Sequence, residues 1–420
     1  MPISTINNKS IADGTIIATD ILDGTISSAK LVAANIAGDR IAANTLSNTV
    51  FQTGSVESYL RGANLDFGMR NRIINGAMVI DQRTAGAAVT PVDNQYSLDR
   101  WHTQVSQTAK MTIQKMDSAN SSATGYEVNS APAGFANSLK VTSLSSYSVV
   151  TGDYFAVDQC IEAFNLIDLN WGTANAKSVT LSFWVKSSLT GTFGGAIANG
   201  AFNRSYPFTY TISAANTWEQ KIITIPGDTS GTYGTTNGRG AYIQFGLGSG
   251  STYSGTAGAW AATAYITSTG ATSVVGTNAA TWYITGVQLE EGSQPTPFEY
   301  RQFTNELQLC QRYFQRFGGN SIYETYAIGQ AYNTTNVWAT IPLKVNMRAN
   351  PTFSPTSGAN LQLMNVSGTG YNCTACDIAY GSTTSPDLFP VVASGLVAGN
   401  ASVFRSAGTT SGFISFSAEL

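Results

Sequence analysis

A branched apolar residue stands at every fifth position near the start of the chain. The series runs Ile6, Ile11, Ile16, Ile21, Ile26, Leu31, Ile36, Ile41 and Leu46, and closes on Phe51. A helix spaces apolar residues about 3.6 apart and a half-buried strand spaces them by two, so neither accounts for five. On a flat strand an odd period throws successive Ile residues onto opposite faces. The chain must therefore turn within each unit, and Asp13-Gly14 and Asp23-Gly24 supply turn dipeptides where turns are needed. A linker that happens to be regular is the plainer reading, but the sustained register opposes it. A single-chain β-helix would complete only about two coils, fewer than the three or so such stacks require. Three copies wound about one axis bury an Ile from each chain at every level. The segment is expected to be a trimeric β-rich shaft, with Ile11, Ile16, Ile21, Ile26, Leu31, Ile36, Ile41 and Leu46 as its core.

Composition points the same way for the rest of the chain. Charged residues make up 11% of it, against about 25% in ordinary soluble domains. The 41 glycines and the abundant Ser, Thr and Asn suit short strands and tight turns. The expected class is all-β. A net charge of −3 and the lack of any basic run argue against nucleic acid. No stretch is long enough to span a membrane, and "MPISTINNKS" has neither the basic start nor the apolar core of a secretory signal. The four cysteines are too few and scattered to staple a chain of this length. A surface built for the outside without an export address fits a component released by cell lysis, such as part of a virion.

Strand signals follow the shaft. In "SVTLSFWVKS" (178–187), Val179, Leu181, Phe183 and Val185 share one face while Trp184 takes the other. "AYIQFGLG" (241–248) is a second strand. "WYITGVQLEEG" (282–292) changes phase at Gly286, the signature of a β-bulge. About eight such strands predict a jelly-roll sandwich. "NRIINGAMVIDQR", "LDRW", "SFWVKS", "VQLEEGSQPTPFEYR" and "ELQLCQRYFQR" occur in that order along the chain. Together they resemble bacteriophage tail fibre proteins, in which a shaft of DGTI-type repeats precedes a galactose-binding-like jelly roll. The resemblance covers roughly residues 11–317 and implies a role in host attachment. It carries over no binding site, because the motifs read as framework strands. Phe298, Tyr300 and Arg301 are expected to lock the last strand to the helix that follows.

That helix is predicted over 303–319, with Phe303, Leu307, Cys310, Phe314 and Phe317 on one stripe and Gly318-Gly319 as its stop. Strand patterns resume in "IYETYAIGQAY", "VWATIPLKVNM", "NLQLMNV" and "FISFSAEL", so a second, smaller β-sandwich is expected at the tip. Pro351 and Pro355 mark an edge there. The expected organisation is residues 1–54 as tail-attachment end and shaft, 55–70 as connector, 71–302 as jelly roll, 303–319 as helix and 320–420 as tip.

No enzyme emerges from the motifs. His102 is the single histidine, and no G-x-S-x-G serine elbow accompanies it. Cys373 and Cys376 have zinc spacing but lack a second pair. Glu290 and Glu291 are adjacent, so a strand sends them to opposite faces and cannot pair them across a glycosidic bond. Neither a phosphate loop nor a calcium loop is present, and no cofactor or metal is expected. Three readings stay open: a homotrimeric tail fibre docked through its N-terminus on a tail or baseplate protein and binding host polysaccharide; a tailspike that cleaves glycan between subunits; and a carbohydrate-binding module of a non-phage adhesin. For glycan contact the candidates are exposed aromatic, amide and charged residues on loops. Tyr371, Asn372, Asp377 and Tyr380 crowd one Gly/Thr-rich segment, with Arg405 on another. Arg239, Tyr253 and Trp260 form a secondary set.

Overall fold

The structure is a computed structural model that describes residues 70–420. The expected shaft, its axis residues and most of the connector lie outside the described residues. Strands run in the order β1 (Gln95–Leu98), β2 (Trp101–Val105), β3 (Met111–Asp117), β4 (Asn137–Ser143), β5 (Tyr154–Glu162) and β6 (Val179–Ser187). Next come β7 (Gly191–Asn199), β8 (Ser205–Ile212), β9 (Glu219–Ile225) and β10 (Arg239–Ser249). The two-residue β11 (Ser254–Gly255) and β12 (Thr267–Ser268) precede β13 (Thr281–Glu291). The long strands form a six-stranded sheet, β1-β2-β5-β10-β7-β8, and a five-stranded sheet, β3-β4-β13-β6-β9. This is a jelly-roll sandwich. Phe155, Val157, Ile243 and Phe245 of the first sheet meet Leu139, Leu181, Phe183 and Trp282 of the second in one core. The Phe183 and Phe245 rings sit edge to face at 5.0 Å.

The alternation read from 178–187 holds: Val179, Leu181, Phe183 and Val185 are buried and Trp184 is half-buried on the far face. β13 slips register against β6 between Thr285 and Gln288, with Gly286 at φ 61°. Trp282 and Ile284 enter the core before the slip, Val287 and Leu289 after it. The segment 71–83, expected as a framework strand, is irregular instead. Asn71 donates to Val287 O and accepts from Leu289 N, while Asn75 bridges Ile80 and Asp99. Its backbone groups are satisfied by side-chain amides rather than a ladder, which lets it strap across the bulge. Arg301 donates to the carbonyls of Asn71 and Ile73 and reaches Glu306, so it ties the strap to the helix.

That helix, α1 (Phe303–Gln311), ends well short of residue 319. β14 (Phe314–Gly318) begins three residues on and pairs with the closing strand, Phe314 opposite Ser417 and Phe317 opposite Ile414. Nine residues are too short a helix to hold by local propensity alone. The Phe-rich continuation gains more as a strand against an apolar partner. The rest comprises β15 (Thr325–Ala331), β16 (Val337–Thr340), β17 (Thr352–Pro355) and β18 (Leu361–Met364). It ends with β19 (Gly370–Tyr380), β20 (Asp387–Val392), β21 (Ala401–Ser406) and β22 (Phe413–Ser417). The expected second sandwich is not what these strands build. β15-β16-β20-β19-β18-β21 close into a barrel, because β21 pairs with both β15 and β18, and β14-β22-β17 form a three-stranded sheet beside it. Closure leaves six short strands without a free edge. Pro355 lies on β17, an edge strand.

Residues Met69–Leu420 form one unit, and the junction between jelly roll and barrel is charged and buried. Arg312 donates twice to Glu162, at 2.9 and 2.6 Å, and the Tyr313 hydroxyl donates at 2.6 Å. Glu419 accepts from both Arg83 and Arg100. Arg348 binds the carbonyls of Asn237, Ala418 and Glu419.

Candidate functional site

Four neighbouring barrel strands, β15, β16, β20 and β19, carry the most aromatic exposed surface of the tip. A strand sends alternate side chains to opposite faces. In β16, Val337 and Ala339 point into the barrel core, so Trp338 points out. In β20, Leu388 and Val392 point in and Phe389 out. Pairing aligns Gln330 with Trp338 and Phe389 with Asp377, and the next rung brings Thr340, Asp387 and Tyr380 together. Trp338 lies 5.7 Å from Phe389 and 5.5 Å from Tyr380, and Tyr332 lies 6.0 Å from Phe389. Tyr332 and Tyr380 are 68% and 64% exposed. Ring contacts of this kind contribute about 0.5–1.5 kcal/mol each, so the row is held in place while its faces stay in water. The Thr340 hydroxyl donates to Asp387 at 2.5 Å.

The expected tip residues divide between this wall and the rest of the barrel. Asp377 and Tyr380 belong to the wall. The segment expected as a loop is the eleven-residue strand β19, and alternation therefore scatters its side chains. Tyr371 faces inward and packs on the barrel core, with Cys373 and Cys376 buried beyond it. Asn372 faces out but pairs with Gln362 on the other neighbouring strand, away from Asp377. Arg405, expected on a loop, lies in β21; it donates to Gln362 Oε1 at 3.0 and 2.7 Å and covers the Tyr323 ring at 4.6 Å. Tyr332, Trp338, Phe389 and the second carboxylate, Asp387, were not singled out. The alternation in "VWAT" and "LFPVV" is the signal that could have found two of them.

The secondary set is not brought together either. Trp260 packs at 5.7 Å on Trp171 and 5.6 Å on Tyr206, with its Nε1 on Pro226 O. Tyr253 sits 5.0 Å from Tyr154, and Arg239 is exposed at the start of β10.

His102 lies inside β2 with Nδ1 2.7 Å from Asp158 Oδ1. Burial would lower its pKa, but the Asp158 carboxylate outweighs burial and raises it, keeping the ring charged. Burial pushes the Cys160 and Cys373 thiols up to about 12, so neither offers a thiolate at neutral pH. Glu290 is buried and Glu291 exposed. Among the described residues no three His, Cys, Asp or Glu side chains gather as a metal site.

No protein-family model matches the sequence, and no curated protein matches it. Solved structures similar to it include the enzymatically active domain of tailspike protein 4 of bacteriophage CBA120, at 12% identity and a TM-score of 0.28. That likeness covers 53% of this chain and 21% of the tailspike chain. TmCBM61, solved in complex with β-1,4-galactotriose, is 11% identical with a TM-score of 0.26 and covers 53% of this chain and 100% of its own. The family 11 carbohydrate-binding module of the Clostridium thermocellum cellulase Lic26A-Cel5E is 12% identical, with a TM-score of 0.25, 51% of this chain and 100% of its own.

Proposed function

We propose that this chain is a bacteriophage tail fibre protein whose barrel wall contacts host-surface glycan. In this reading it is a homotrimer, docked through its N-terminal end on the tail or baseplate. It is made in the host cytoplasm, released by lysis, and binds glycan without cleaving it. The observation that carries the reading is the row of outward rings, Tyr332, Phe389, Trp338 and Tyr380, edged by Gln330, Asp377, Thr340 and Asp387. A sugar offers an apolar face ringed by hydroxyls, and such a wall meets both at once. Large exposed apolar patches on otherwise polar surfaces mark interaction sites. The order of sequence motifs along the chain supports the fibre role. Three walls at one tip would convert a weak contact into firm attachment.

Trp338→Ala and Tyr380→Ala should each lower binding of the purified protein to host cells about tenfold, with an unchanged melting profile and oligomeric state. Undiminished binding by both variants would remove the wall from consideration. One observation favours cleavage as a second reading. Asp377 and Asp387 are diagonal neighbours on adjacent strands, about 7–8 Å apart at Cβ, within the separation used by inverting glycosidases. The outside of a barrel is convex, however, and lacks the cleft that seats a substrate. Release of reducing ends from host polysaccharide, lost in Asp377→Asn, would establish cleavage instead.

A further inference from the structure

Two cavities of about 420 and 220 Å³ adjoin on the outer face of the six-stranded sheet and share Asn94, Gln104 and Phe202. Their size is that of small-molecule sites. One rung of the sheet, Tyr96, His102, Asp158 and Gln244, runs beneath them. Asp158 is fully engaged, with one oxygen on His102 Nδ1 and the other accepting from Gln104 Nε2. His102 Nε2 and Gln104 Oε1 have no hydrogen-bond partner among the described residues, and both residues line the larger cavity. At its other end Arg239 is exposed and pairs with no carboxylate among the described residues. Glu419 enters from the C-terminal segment, but Arg83 and Arg100 hold it. Asp93, at the smaller cavity, is turned onto Val105 N, Asn94 and the Tyr154 hydroxyl. The groove thus offers unspent cationic donors and no unspent carboxylate.

We propose that this groove binds a short acidic oligosaccharide, one carboxylate on His102 Nε2, another on Arg239 and a sugar face against Phe202. The register sets His102 and Arg239 four residues along β5 and two strands apart, roughly 16 Å between backbones. One carboxylate cannot bridge that gap, whereas a uronate chain carries an acid group on every sugar. The barrel wall presents two carboxylates that pair with no Lys or Arg among the described residues. The groove and the wall therefore differ in the charge of glycan they accept, and the groove does not depend on the wall reading.

Titration calorimetry of the full chain with trigalacturonate, and with maltotriose as the neutral control, tests it. The expected result is saturable binding of trigalacturonate, at least tenfold tighter than maltotriose. Arg239→Ala, a change at an exposed side chain, should weaken it at least tenfold, and so should His102→Gln. Tyr380→Ala should leave it unchanged while lowering host-cell binding, so the groove and wall readings fail separately. No binding of trigalacturonate, equal affinity for the two sugars, or full affinity in Arg239→Ala would overturn the proposal.

Discussion

Glu162 shows how much one side chain can carry here. It is 2% exposed, and its carboxylate takes three charge-assisted hydrogen bonds from Arg312 and Tyr313 across the junction. Burial alone would raise its pKa; the bonds from Arg312 and Tyr313 outweigh burial and hold it below the ordinary value. Its stabilising contribution is therefore complete above the unfolded carboxyl pKa of about 4.3. It is lost as pH falls through the lower folded value. Glu162→Gln should cost about 2 kcal/mol at pH 7, or roughly 3 °C in Tm. Between pH 5 and pH 3 the gap between wild type and variant should close. Calorimetric melts across that range check both the size and the sign, and a constant gap would contradict the assignment.

Among the elements, β13 was legible in the sequence and the barrel was not. The phase change between Trp282-Ile284 and Val287-Leu289 marks a bulge within seven residues of text, and Gly286 at φ 61° is where it falls. An added Cβ there would need a left-handed backbone, costing about 1–2 kcal/mol, and would lie 2.7 Å from the Phe135 ring. Gly286→Ala should thus lose about 2–3 kcal/mol in denaturant unfolding, while Gly152→Ala, with nothing within 4 Å, should change little. Barrel closure joins Thr325 to Arg405 and Leu361 to Ser406, pairings that no local pattern announces. The wall inherits that difficulty. Asp377 and Tyr380 could be chosen from one segment, but Trp338 and Phe389 reach them only through the pairing of three strands. Proximity in sequence brought in Tyr371, which alternation turns inward. The stripe Phe303, Leu307, Cys310, Phe314 and Phe317 fits a helix throughout; only the waiting partner Phe413–Ser417 makes its second half a strand.

At the scale of the whole molecule, the period-five series still governs the expected assembly. Size exclusion coupled to light scattering should give three copies of the chain, and Ile21→Asp with Ile26→Asp should shift the population toward monomer, since carboxylates cannot be buried unpaired at an axis. A monomeric wild type would dismiss the shaft. The junction adds a different consequence. Glu162, Glu419 and Arg348 fasten barrel to jelly roll through charged side chains and backbone carbonyls at several separate points. A pull on the barrel wall then has no swivel in which to dissipate. Tension passes straight into the jelly roll, and these two parts work as a stiff lever that reports the direction of the surface it grips.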